Sequence, residues 1–264
     1  MEALEALMRQ APSEQAILAF FLTLARVTPL FVLAPLFSNK QVPARARGVC
    51  AVALAIGLTP VALRNGGVVP SDTFLLGGLI VKELLVGAAF AYAIGAVVAA
   101  AQAAGAYLDT LIGFSFGSLV DPVSGNQSTV LSQLYGLVVV AVFIAIAGDT
   151  WVIQGLARTY DLVPLTEAPA LGSLVEGVQQ AFVGLATASI AVCAPVLLAL
   201  FITDAAFGVV SRVMPQLNVF AVGFPAKVAV GLLLVGVSLP FVATWFGDEV
   251  QHAVTDALRS MRTP

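Results

Sequence analysis

The sequence predicts an all-α, multi-helix integral membrane protein with broken or kinked helices. Three observations carry that expectation: an apolar excess, six apolar runs of uneven length, and prolines set within or beside those runs. The chain of 264 residues is 59% hydrophobic and 10% charged, with a mean hydropathy of +0.99. An ordinary soluble domain carries about 25% charged and about 45–50% apolar residues. A chain of this length with so few charges must turn apolar surface towards lipid or other subunits.

The apolar runs are Ala16–Phe37, Val49–Leu63, Phe74–Ala106, Val130–Gly148, Ala181–Val210 and Val228–Phe246. A spanning helix needs about 20 apolar residues, so the second run is short and the third and fifth are long. The N-terminal Met-Glu-Ala-Leu-Glu is acidic, unlike the basic start of a secretory leader, so the first run is expected to be the first membrane segment. Pro29, Pro35, Pro60, Pro195 and Pro240 fall within or at the edges of runs, where each removes a backbone donor and is expected to break or bend a helix. That pattern fits packing kinks, and it also fits a chain wrapped around a passage.

Gly95, Ala99 and Ala103, with the neighbouring row Ala96, Ala100 and Ala104, give the third run a face of small residues for close helix packing. Positive charges do not orient the chain. For six spans, Lys40, Arg45, Arg47, Arg212 and Lys227 fall on one side and Arg9, Arg64, Arg158, Arg259 and Arg262 on the other, a tie where an asymmetry is usual.

Arg26, Lys82, Glu83, Asp109 and Asp204 lie in apolar surroundings in the sequence. An isolated charge there costs at least about 2.5–3.5 kcal/mol, so each is expected to have a partner in another helix or subunit. Lys82 and Glu83 are adjacent and point about 100° apart on a helix, so each is expected to pair elsewhere. A proton relay would also explain buried charges, but the set has no repeated spacing and no histidine.

Catalysis and cofactor binding find little support. Gly113-Phe114-Ser115-Phe116-Gly117 fits the nucleophile-elbow pattern, but the one histidine, His252, lies in the polar C-terminal tail and no strand pattern precedes Gly113. No metal or nucleotide motif is present, and a net charge of -3 without a basic block excludes a nucleic-acid footprint. Cys50 and Cys193, both within apolar runs, read as small buried hydrophobes.

Between Tyr107 and Ser128 the chain is at once rich in turn formers and apolar. Asp109, Gly113, Gly117, Asp121, Pro122, Ser124, Gly125 and Asn126 are expected to break helical structure there. Leu111, Ile112, Phe114, Phe116, Leu119 and Val120 would be wasted in a solvated loop. Irregular backbone at membrane depth survives only when enclosed by protein or lining an aqueous cavity. Further on, Pro215 and Pro225 bracket a short polar turn, with Arg212 and Lys227 at its two ends. Those charges are expected to mark where a hairpin leaves its apolar surroundings and meets a partner.

Three blocks in order resemble the FliR family of flagellar type III export proteins. They are Arg26, Pro29, Pro35-Leu-Phe and Val42-Pro43-Ala-Arg45; the string from Gly113 to Tyr135; and the run from Arg212 to Lys227. The stretch after Ala194-Pro195 is also similar to FliQ, and the early part loosely to FliP.

The resemblance implies one FliR-like export-gate domain over 1–264, with a FliP-like part over about 1–150 and a FliQ-like helical hairpin over about 185–264. It implies a non-enzymatic subunit of the bacterial inner membrane and flagellar basal body, without cofactor or metal. This subunit would complete a FliP–FliQ–FliR channel for unfolded flagellar proteins, with FlhB and FlhA as further neighbours. The implied channel plug comprises Gly113, Phe114, Ser115, Phe116, Gly117, Leu119, Val120, Asp121, Pro122 and Gly125. The implied assembly residues are Arg212, Pro215, Gln216, Asn218, Phe220, Gly223, Pro225 and Lys227. The segment Gly113–Gly125 carries no methionine, so any methionine seal would come from a partner chain. The injectisome relative of the same family is the alternative, and a small-molecule permease or an intramembrane protease using Ser115 are rivals from other classes.

Overall fold

The computed structural model describes residues 13–38, 42–65, 67–70, 72–114, 129–214, 216 and 218–261. Among them are seven α-helices and no strand: α1 (Glu14–Leu33), α2 (Ala44–Asn65), α3 (Thr73–Ile112), α4 (Val130–Ala145), α5 (Gly148–Leu162), α6 (Leu171–Val213) and α7 (Val219–Ser260). Five of these, α1, α2, α3, α6 and α7, are long and apolar enough to cross a membrane.

Helix starts show how the sequence sets these boundaries. The Ser13 hydroxyl accepts from the Ala16 amide, Asp72 Oδ1 accepts from the amides of Phe74 and Leu75, and Asn218 Oδ1 accepts from the Ala221 amide. Each side chain satisfies an amide that the helix itself leaves open. The start of α4 differs, because its N-cap residue Thr129 makes no such bond.

The prolines do not interrupt the helices that hold them. Pro29, Pro60 and Pro195 lie inside α1, α2 and α6, and Pro225 and Pro240 both lie inside α7, so Pro225 does not close the polar turn as expected. At two of these sites the residue before the proline is a threonine whose hydroxyl donates back into the preceding turn, Thr28 to Leu24 O at 2.6 Å and Thr59 to Ala55 O at 2.7 Å. Hydroxyls of this kind help a helix carry a proline in an apolar medium. The break falls instead at Ala147, between α4 and α5, where φ is 51° with no proline present. The sixth and seventh helices also outrun their apolar runs, and α5 was not among the runs at all.

The chain divides into two compact units that share its long helices. One unit comprises 1–95, 149–182 and 251–264, and the other comprises 96–148 and 183–250. The second has an apolar core of Ala104, Leu108, Ile112, Leu131 and Tyr135 against Val192, Cys193, Val196, Leu200, Val235 and Val242. The small-residue row behaves as expected: Ala96, Ala100 and Ala104 are all buried. Cys193 is buried too, but Cys50 is exposed on α2 and corrects the expectation for it.

Candidate functional site

A buried charge cluster occupies the first unit. Arg26 on α1 and Glu83 on α3 are both fully buried, and their side chains form a two-pronged pair through Nε and Nη2. The same Nη2 donates to Val163 O at 2.8 Å, and Nη1 donates to the Thr159 hydroxyl at 3.1 Å, which in turn donates to Leu156 O at 2.6 Å. The guanidinium also lies 4.2 Å from the centre of the Tyr160 ring. This fork geometry suits arginine and no other cation.

Lys82 corrects the expectation that it and Glu83 turn away from each other. Its Nζ reaches Glu83 Oε1 at 2.6 Å and donates to Pro164 O at 2.9 Å, Leu165 O at 2.8 Å and Glu167 O at 3.2 Å. The lysine stem is long and flexible enough to curve back across the 100° between neighbours. Two cations share one carboxylate, and both also donate to carbonyls just beyond α5, at the negative end of a helix dipole.

In the second unit, Asp109 joins α3 to α4. It does not break α3, which continues to Ile112, and one carboxylate oxygen is satisfied across the fold: Oδ2 accepts from the amides of Leu131 at 2.8 Å and Ser132 at 3.2 Å. The helix stops at Gly113, whose φ of 104° is open to glycine and strained for other residues. Of the residues assigned to a plug, Gly113 and Phe114 are described, and Phe114 packs beside the apolar core. Ser115, Phe116, Gly117, Leu119, Val120, Asp121, Pro122 and Gly125 lie outside the described residues. Gly113 follows a helix, so the strand–turn–helix context of a nucleophile elbow is absent at this position.

The α6–α7 hairpin carries the remaining predicted residues. Asp204 is not buried: its side chain is 47% exposed and pairs with Lys227 Nζ at 2.6 Å. Arg212, in the last turn of α6, is exposed, as are Gln216 and Asn218 in the turn and Pro225 on α7. Gly223 is buried against the Phe207 ring. Pro215 lies outside the described residues. Large apolar side chains stand exposed along both helices, among them Leu198, Phe201, Ile202, Val209, Leu233, Val237 and Phe241.

Sequence reasoning found Arg26, Lys82 and Glu83 by their charge but missed Thr159, Tyr160 and the four carbonyls that receive them. Backbone carbonyls leave no compositional trace, and Thr159 and Tyr160 lie more than 130 residues from Arg26. Among the described residues no three His, Cys, Asp or Glu side chains gather as a metal site would require.

A family model described as bacterial export proteins, family 1, matches residues 17–253. The protein named flagellar biosynthetic protein FliR from Bacillus subtilis is 31% identical over 229 residues, which cover 85% of this chain and 88% of that one. The FliR of Escherichia coli K12 is 28% identical over 224 residues, covering 85% of each chain. The surface presentation of antigens protein SpaR of Salmonella typhimurium is 24% identical over 212 residues, covering 80% of this chain and 78% of that one. A family match across nearly the whole helical chain, with a FliR relative above 30% identity over most of both lengths, means that this protein belongs to the bacterial export proteins of family 1, the family of FliR.

Proposed function

We propose that the chain is a non-enzymatic core subunit of the flagellar type III export gate in the bacterial inner membrane and flagellar basal body. Its neighbours are FliP, FliQ and FlhB homologues and FlhA, and its cargo is unfolded flagellar protein. The observation that carries this reading is the family match over 17–253, with FliR names at 31% and 28% identity against 24% for the injectisome protein SpaR. The exposed apolar hairpin supports it. At about 1.5 Å per residue, α6 and α7, of 43 and 42 residues, each follow a path of about 60 Å or more, roughly twice the hydrocarbon core. On α6 the exposed large apolar side chains run from Leu171 to Val213, a length that lipid alone cannot cover and partner helices can. The segment over about 1–150 takes the place of a FliP-like subunit and that over about 185–264 of a FliQ-like hairpin.

Gly113–Gly125 serves as the resting plug of the channel. A passage wide enough for an unfolded chain leaks ions unless filled, and Phe114, Phe116, Leu119 and Val120 are suited to filling and dewetting a constriction. Affinity purification of the tagged protein tests the gate: FliP and FliQ homologues are expected with it, and a lone stable monomer refutes the reading. Deleting 114–120 tests the plug. The expected result is an assembled complex with raised membrane conductance; an assembled complex without added leak removes the plug, and failed assembly makes the segment a packed connection.

A further inference from the structure

We infer that Asp109 is a charge lock that keeps the end of α3 clamped to the start of α4 while cargo passes. The inference rests on the reading of the chain as a transport channel, and it concerns the two helix ends alone.

A carboxylate in the last turn of α3 works against that helix, because a helix C-terminus already carries negative partial charge. Its placement makes sense through α4. There the carboxylate meets the second and third amides of the helix, Leu131 and Ser132, at the positive end of the dipole. The local residue that would ordinarily do this, Thr129, makes no capping bond, so a side chain 22 residues upstream of Leu131 replaces it. Asp109 is fully buried, and its Oδ1 has no hydrogen-bond partner among the described residues. Parting the helices would therefore strand a charge in an apolar place with the two amides that compensate it among the described residues withdrawn.

Gly105 provides a second, uncharged part of the same lock. One turn before Asp109, a Cβ at this position would lie 2.6 Å from Leu131 O and 2.8 Å from Ser132 Cα. The two backbones thus touch where the carboxylate reaches across. Backbone cannot swing aside as a side-chain end can, so the contact is made for close approach and not for sliding.

The test tethers the two helices. A Cβ at Gly136 would lie 3.1 Å from Gln102 Nε2 and 3.7 Å from its Cγ, within reach of a disulfide if both become cysteine. Gln102→Cys removes the flexible group that the Gly136→Cys side chain would meet, and Cys50→Ser removes the exposed thiol. In the assembled gate complex, the oxidised tether is expected to leave transport of an unfolded flagellar subunit into inverted membrane vesicles undiminished. Transport that stops on oxidation and returns on reduction overturns the lock, because α3 and α4 must then part. In the same background, Asp109→Leu is expected to slow disulfide formation by about tenfold or more, whereas Asp109→Asn, whose amide oxygen accepts the same two bonds without the charge, is expected to fall between Asp109→Leu and the parent. Equal rates in all three also overturn it. The tether arm keeps Asp109 intact and so decides the matter even if Asp109→Leu fails to assemble. Neither arm reads ion leak, so failure of the plug reading shows up separately in the 114–120 deletion.

Discussion

At Arg26, four hydrogen bonds draw on a guanidinium that has five N–H donors, and the carboxylate of Glu83 takes two of them. Such a pair gives little net stability over an apolar pair, but removing Glu83 leaves two buried cations without their carboxylate, at a cost of about 3–5 kcal/mol, and removing Arg26 costs less because Lys82 still pairs with Glu83. Arg26→Met and Glu83→Gln are each expected to lower the unfolding midpoint of the solubilised complex. The double change Arg26→Met/Glu83→Leu is expected to recover part of that loss. It leaves Lys82 its three carbonyl acceptors, enough for three ammonium protons. A double variant no more stable than the worse single one would show that the cluster acts through something other than mutual compensation.

Among the elements, the α6–α7 hairpin separates what its charges do within the chain from what they do outside it. Lys227 was expected to face a partner, yet its ammonium lies on Asp204 of its own hairpin. With the carboxylate half exposed, the pair is worth about 0–1 kcal/mol, so Lys227→Ala is expected to leave complex recovery nearly unchanged. Lys227→Glu sets like charges together and is expected to reduce recovery, with Asp204→Lys restoring it when the two are combined. If the swap restores nothing, Lys227 also answers to a group outside the chain. Arg212 has no ion pair among the described residues, and Arg212→Glu with complex yield as the measurement tests whether it meets another subunit.

For the whole molecule, the question is what covers the apolar surface. Leu233 on α7 is 66% exposed in the isolated chain, so neither packing nor water-facing polarity accounts for it. In a bilayer or against another helix, a glutamate there costs at least about 2.5 kcal/mol. Leu233→Glu is therefore expected to abolish membrane recovery of the complex without altering the buried cores. Complex recovered from Leu233→Glu cells at parental yield would place this face in water.

The helical class, the membrane setting and four of the five expected buried charges, Arg26, Lys82, Glu83 and Asp109, were legible because each is a property of composition or of single residues in apolar runs. Apolar periodicity also placed the small-residue row, since Ala96, Ala100 and Ala104 need one close neighbour of any identity to be buried. Helix boundaries were less legible. The turn formers between Tyr107 and Ser128 did mark the end of α3 at Ile112 and Gly113, but Asp109 itself was not the break, since its carboxylate accepts from two amides of another helix. The prolines looked like breaks as well, and a local rule could not weigh them against the packing and threonine hydroxyls that let α1 and α2 continue. Only the tertiary structure decided which groups meet: Arg26 with Thr159 and Val163 O, Lys82 with the carbonyls beyond α5, Asp109 with the start of α4. The reason is physical. A sequence shows that a buried charge must be compensated, but backbone amides and carbonyls, which supply most of the compensation here, are the same at every residue and become particular only by position in the fold.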